Sequence, residues 1–341
     1  MRSFRTALKP PASPAAGGLG GRAASGRSRH TALVEGSHAR TLPAARATAA
    51  PDSRVELWHP DFNYTITRVT FYAEEVAMTL QLPAPDTRQL ARSPLSLVVC
   101  QVRIEESPLL AEATTALRVQ EMLSAEYPRL SALLPQRQQL IQQADWSQIQ
   151  QVDIGKRGYR LSTSDKTFHI SLTADSFSLE TTAYTTWNDD FQPRLTAIVE
   201  AVSELVKPVL ETRLGLRYVN VIRGSAAAGR RLENPTEFGD VISPWLLGPL
   251  GQSELGSAAR DLDGRCVLAL DEVAVLSARY GTVLAPDDEL SFLLDFDAYR
   301  ESNGKFDPDE MIATTNGFNE SIVRLFQHSI TPAALDQLRK E

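Results

Sequence analysis

Cysteine is scarce in this chain. Only Cys100 and Cys266 occur in 341 residues, each inside an apolar, strand-like run (LSLVVCQV and GRCVLAL). No C-x-x-C pair and no Cys/His cluster is present. That excludes a disulfide framework and a zinc site, and it favours a reducing compartment, the cytoplasm. Long apolar runs are missing as well. None approaches the roughly 20 residues that a membrane-spanning helix needs, so no membrane partner is expected. Catalytic signatures are lacking too: there is no G-x-S-x-G, P-loop, G-x-G-x-x-G or H-E-x-x-H. No cofactor and no metal is therefore expected. Positive charge is in deficit. From Met78 onward 25 Lys and Arg stand against 36 Asp and Glu, which disfavours nucleic acid as a partner.

What is present is an ordinary globular composition, 43% hydrophobic and 23% charged, sufficient for one large or two modest cores. The first 50 residues differ. They hold eight Lys and Arg and one Glu in an Ala/Gly/Ser/Pro-rich setting (PPASPAAGGLGGRAASGRSR). Such a segment buries too little apolar area to offset its ordering entropy, and disorder is expected. Three readings compete for residues 1 to 77: a basic tail, an organellar transit peptide, or a leader translated by mistake. Glu74-Glu75-Val76-Ala77 can be written GAG GAG GTN GCN ahead of an ATG for Met78, which is the look of a bacterial ribosome-binding site. The third reading is preferred, with the protein proper running from Met78 to Glu341. WHPDFNYTITRVTFY (58–72), with its period-two apolar spacing, argues the other way.

The remainder alternates strands and helices. LSLVVCQVRI (95–104) reads as a strand. A helix is expected over 109–127, anchored by Leu117, Met122, Leu123 and Tyr127 and stopped by Pro128. The Gln-rich stretch 129–148 reads as a loop with a helical turn. A meander follows in VDI, YRLSTSD and FHISLTADSFSLETTAY, with a hairpin turn at Asp175-Ser176. A long helix is expected over 189–210, its stripe running through Phe191, Leu195, Ile198, Val202, Leu205 and Val209. The order then recurs: a strand at 213–222, a short helix with a proline break at 235–248, strands within CVLALDEVAVLSARYG and ELSFLLDFDAY, and a last helix capped by Asp307-Pro308-Asp309-Glu310. The predicted class is α+β, an antiparallel sheet covered by helices. The string β-α-β-β-β-α is given twice, over 87–211 and 212–341. A short echo between TTWNDDF (185–191) and TTNGF (314–318), each expected to open a helix that closes its half, supports an internal duplication, with the long strands pairing across the halves.

PLSLVVCQVRI, the helix ending in EYP, SLTADSFSLETTAYTTWNDDF, GLRYVN, FLLDFDAY and LFQHSIT resemble, in order and spacing, a sporadically distributed family of uncharacterised bacterial and archaeal proteins. The ETTxYxxW and GLRYxN segments are the most specific. The resemblance runs from about residue 87 to the C-terminus, which supports a start at Met78. It implies a prokaryotic source and supplies no activity and no functional residues.

Candidate chemistry comes from four places. Asp295 and Asp297 lie two apart in a strand, so their carboxylates share a face and could serve as acid and base or hold a cation. The plainer reading is a solvated face opposite Leu294, Phe296 and Ala298. Arg217 could bind an anion and Asn220 orient a ligand; alternatively Arg217 pairs across the sheet with an acid such as Glu180. The run Glu180, Thr181, Thr182, Tyr184 and Trp187 sets hydroxyls, a carboxylate and two aromatics at a strand-to-helix junction. It is the preferred ligand site, against a strand end with Trp187 as a plug. His169 and His328 are expected in surface or capping roles. The favoured function is a non-enzymatic binding or assembly component with a protein partner, in an accessory or defence system. The alternative is an enzyme centred on Asp295 and Asp297 or on the Glu180 to Trp187 run.

Overall fold

The computed structural model describes residues 79–123, 126–133 and 157–340. Met78, everything before it and the VDI segment lie outside the described residues, as do the proposed leader and the 58–72 strand.

Among the described residues nine strands form one antiparallel sheet: β1 (Leu95–Ile104), β2 (Arg129–Leu133), β3 (Gly158–Ser162), β4 (Phe168–Thr173), β5 (Ser176–Thr181), β6 (Leu210–Arg223), β7 (Asp263–Ala269), β8 (Ala274–Leu284) and β9 (Leu290–Lys305). Their order across the sheet is β2-β3-β4-β5-β1-β6-β9-β8-β7. The two expected halves meet at β1 and β6. Cys100 lies opposite Leu216 there and Val102 opposite Leu214. From that seam the same path runs outward on each side. The first strand of a half pairs with the last strand of its meander, β1 with β5 and β6 with β9, and the meander then steps away strand by strand. The fold is thus α+β, with the long strands joined across the halves.

Alternation along each strand sorts side chains onto two faces. One face carries Val98, Cys100 and Val102 of β1, Ile170 and Leu172 of β4, Leu214, Leu216 and Tyr218 of β6, and Phe292, Leu294, Phe296 and Ala298 of β9, all in one core cluster. Helices cover it: α1 (Ala113–Met122), α2 (Gln192–Val206), the short α3 (Gly224–Ala227), α4 (Pro244–Leu247) and α5 (Ser253–Gly256), then α6 (Pro308–Ser329) and α7 (Pro332–Leu338). Helix α6 starts as its sequence predicts, with the Asp307 side chain accepting from the Glu310 N–H. Met311, Phe318, Ile322 and Leu325 are buried beneath it. Burying such a stripe, at roughly 25 cal/mol per Å² of apolar surface, is what holds an amphipathic helix to a sheet. Among the described residues no helix is long and apolar enough to cross a membrane.

Four expectations are corrected. The 109–127 helix is a 3-10 turn (Pro108–Ala111) followed by α1. Its buried face is Thr115, Ala116 and Val119, while Leu117 and Met122 are about half exposed. Residues 129–133 form a strand, β2, because they pair in register with β3; backbone pairing overrides their weak local preference. The 189–210 helix opens with a wide turn at Trp187–Phe191 and stops at Val206. Pro208 lies just beyond, Lys207 takes the left-handed conformation (φ 51°), and a residue before proline is disfavoured in a helix. Val209 is consequently 70% exposed. Finally, TTNGF lies inside α6 rather than opening it. It nevertheless meets its echo, since Trp187 Nε1 donates to Asn316 Oδ1 at 2.7 Å.

Candidate functional site

The opposite face of the sheet contributes none of the core-cluster residues of these strands. It carries ionic side chains, beside the buried Leu97, Val219 and Val221. Asp295 and Asp297 both project here, on the face opposite Leu294, Phe296 and Ala298. Neither is free. Arg217 donates from Nε and Nη2 to the two oxygens of Asp295, each at 2.7 Å. That fork-to-fork geometry is the strongest form of the pair. Arg213 Nη2 donates to Asp297 Oδ2 at 2.9 Å.

The reach of Arg213 explains a glycine. Arg213 lies opposite Glu301 in the ladder, and Gly215 lies opposite Tyr299. To reach Asp297 the Arg213 side chain runs along its own strand across Gly215. A Cβ at 215 would sit 2.4 Å from Arg213 Nη1. The guanidinium also stacks over the Tyr299 ring, 4.7 Å from its centroid. Burial pushes the Asp297 carboxyl above its ordinary value, against the pull of Arg213 and Arg217. For Arg217 burial works against the charge, but the bonds to Asp295 outweigh it and its pKa is raised.

Glu180 faces the same way from the other half. Val99 of β1 stands between them in the ladder, opposite Glu180 on one side and Arg217 on the other. The partner of Glu180 is Arg160 of β3, at 3.1 Å, rather than Arg217. Burial raises the Glu180 pKa, with Arg160 opposing. His169 lies directly opposite Glu180 in the β4–β5 ladder, and its Nδ1 is 2.7 Å from Ser162 Oγ. Burial and the Arg160 charge lower the His169 pKa. Residues 160, 162, 169 and 180 therefore make one polar group over three strands. The sequence offered no hint of Ser162, because strand register, which decides its neighbour, is a non-local property.

The rest of the preferred run turns the other way. Tyr184 packs edge-on to Tyr218 at 5.6 Å. Trp187 is buried and stacks on Phe191 at 5.5 Å. Tyr218 Oη donates to Asn319 Oδ1 at 2.7 Å. These residues tie the wide turn at 187–191 to α6 beneath the helices. Asn220 also faces the helix side, with Nδ2 reaching the Leu294 carbonyl at 3.4 Å, so Arg217 and Asn220 lie on opposite faces. Thr182 is exposed, and its backbone N–H donates to the Thr167 carbonyl. Of the six predicted ligand residues, then, the structure brings Glu180 and Arg217 onto one face and gathers Tyr184 and Trp187 in the packed interior. His328 faces Trp245, ring centroids 6.1 Å apart.

Among the described residues no group of three His, Cys, Asp or Glu is placed to hold a metal ion. Comparison with family models, with curated proteins and with solved structures finds no match.

Proposed function

We propose that this is a non-enzymatic binding or assembly protein that takes an extended, charged segment of a protein partner on the ionic face of its sheet, the face that no helix among the described residues covers. The supporting observation is the set of cross-strand pairs Arg217–Asp295, Arg213–Asp297 and Arg160–Glu180. Carboxylates already clamped by arginine are poor metal ligands and poor general bases. As fixed charges of alternating sign, they suit a polypeptide bearing both signs, where complementarity sets register and discourages wrong partners. The resemblance to a sporadically distributed prokaryotic family adds a setting: a cytoplasmic component of an accessory or defence system. The matching path of the two halves is read as an internal duplication.

Site-directed photo-crosslinking tests this. A crosslinker at Ser277, on the ionic face, should trap a partner in cells of the native host. One at Glu204, on the outer side of α2, should not. The charge swap Arg217→Asp with Asp295→Arg should keep the fold and lose the crosslink. Trapping only from α2, or an undiminished crosslink in the swapped variant, sinks the reading.

One observation favours a second reading, an enzyme. Ser162, His169 and Glu180 are neighbours, and their carboxyl and imidazole are shifted in opposite senses, as at acid–base sites. A fluorophosphonate probe reacting at Ser162, and failing after His169→Gln, would support it over the binding reading.

A further inference from the structure

Residues 79–94 form an extended strap ahead of β1. It is tied to the helices that end the chain. The Asp86 N–H donates to Gln327 Oε1 at 2.8 Å, and Gln327 Nε2 returns a bond to the Asp86 carbonyl at 2.7 Å. The Arg92 N–H donates to the Leu338 carbonyl. Between strap and helices lies a cavity of about 450 Å³, lined by Ala84 and Asp86 of the strap and by Arg324, Ile330, Leu335 and Arg339. That volume falls within the range of small-molecule sites.

Two buried side-chain polar atoms lack a hydrogen-bond partner among the described residues: Arg324 Nε and Arg339 Nε. Both arginines line this cavity. Their other nitrogens are engaged. Arg339 donates to Asp86 and Asp336; Arg324 donates to the Leu82 carbonyl and to Glu320. Buried donors are nearly always paired, so two unpaired ones against the same cavity point to a missing acceptor. The acceptor must reach guanidinium groups, which match carboxylates in plane and spacing. Part of the remaining wall, including Ala84, Ile330 and Leu335, is apolar and suits a short hydrocarbon body, while Asp86 and Asp336 on the rest of it are already held by Arg339.

We propose that this cavity binds a small organic carboxylate, whose oxygens meet Arg324 and Arg339 and whose apolar part packs on Ile330 and Leu335. Binding would fasten the strap to α6 and α7. This stands independently of the role assigned to the sheet.

The test titrates the full chain with sodium benzoate and sodium hexanoate, using sodium chloride and sodium phosphate at matched ionic strength as controls. Isothermal calorimetry should show saturable binding of at least one carboxylate, with a rise in Tm that follows occupancy. Arg324→Gln should weaken it by about tenfold or more. Ala84→Trp, which fills the cavity from the exposed strap and leaves both arginines in place, should abolish it while circular dichroism stays unchanged. The proposal is overturned if neither carboxylate binds, if phosphate binds as tightly, or if both variants bind as the parent does.

Discussion

The two faces of this sheet use the same strands and the same alternation, yet they solve opposite problems. On the helix face, polar groups are few and each is enclosed. Glu211 is fully buried and takes Nε and Nη2 of Arg300, and Cys100 is buried deeply enough to push its thiol up to about 12. On the ionic face the charges are numerous, the paired side chains keep 11–30% of their surface exposed, and each acid leans on another strand's arginine. A polar group on the first face is tolerated by the core. On the second face the pairs line up across the strands beside buried Leu97 and Val219. The difference teaches that burial and pairing are separate variables: Asp295 and Glu180 are nearly as buried as core side chains, and each keeps its charge against an arginine of another strand.

The comparison breaks most visibly on the helix side. Phe296→Ala removes a fully buried ring and should cost about 3–5 kcal/mol in urea denaturation. Its strand neighbour Asp295→Asn, one residue away on the other face, should cost clearly less, about 1–2 kcal/mol, because Arg217 retains partial access to water. A cost for Asp295→Asn equal to that of Phe296→Ala would mean that the ionic face is a second core.

Glu211→Ala sharpens the contrast within ion pairs. It leaves Arg300 facing a buried, emptied position and should cost about 3 kcal/mol or more. Asp297→Ala, with Arg213 still held over Tyr299, should cost about 1 kcal/mol. Equal losses would place both pairs in the same environment.

A smaller effect separates the groups by pH. The folded protein holds the Glu180 proton more tightly than the unfolded chain does, since its pKa is raised from 4.5. Stability from this group is therefore full below pH 4.5 and falls as pH climbs through the higher folded value. Glu180→Gln should flatten that decline, so the variant gains on the parent as pH rises from 4.5 in thermal melts. A parent whose stability increases across that window relative to the variant would contradict the burial-dominated environment. His169 runs the other way: its lowered pKa makes stability fall as pH drops below 6.5, and His169→Gln should remove that component.

Legibility followed the range of the interactions. The alternation in 168–180 and 291–299 placed Phe168, Ile170, Leu172 and Phe296 inward and Asp295 and Asp297 together, because period two is a local property of the strand. The caps of α6 were equally local. Partners were not. Asp295 was read without Arg217 beside it, Ser162 without His169, and Gly215 without the arginine that lies over it. Each depends on which strands become neighbours and in what register. Leu117 and Met122 were misread as anchors because a helix shows its apolar positions but not which arc the sheet will cover.

By itself, then, the amino-acid sequence determined the α+β class, the order of most strands and helices, and which side chains share a strand face, since dihedral preference and side-chain period act over a few residues. Only the tertiary structure decided that the halves fuse at β1 and β6, that the candidate carboxylates are clamped by arginines, and that the strap leaves a cavity against α6 and α7. Those outcomes join residues far apart in the chain, and their positions follow from packing the whole sheet at once.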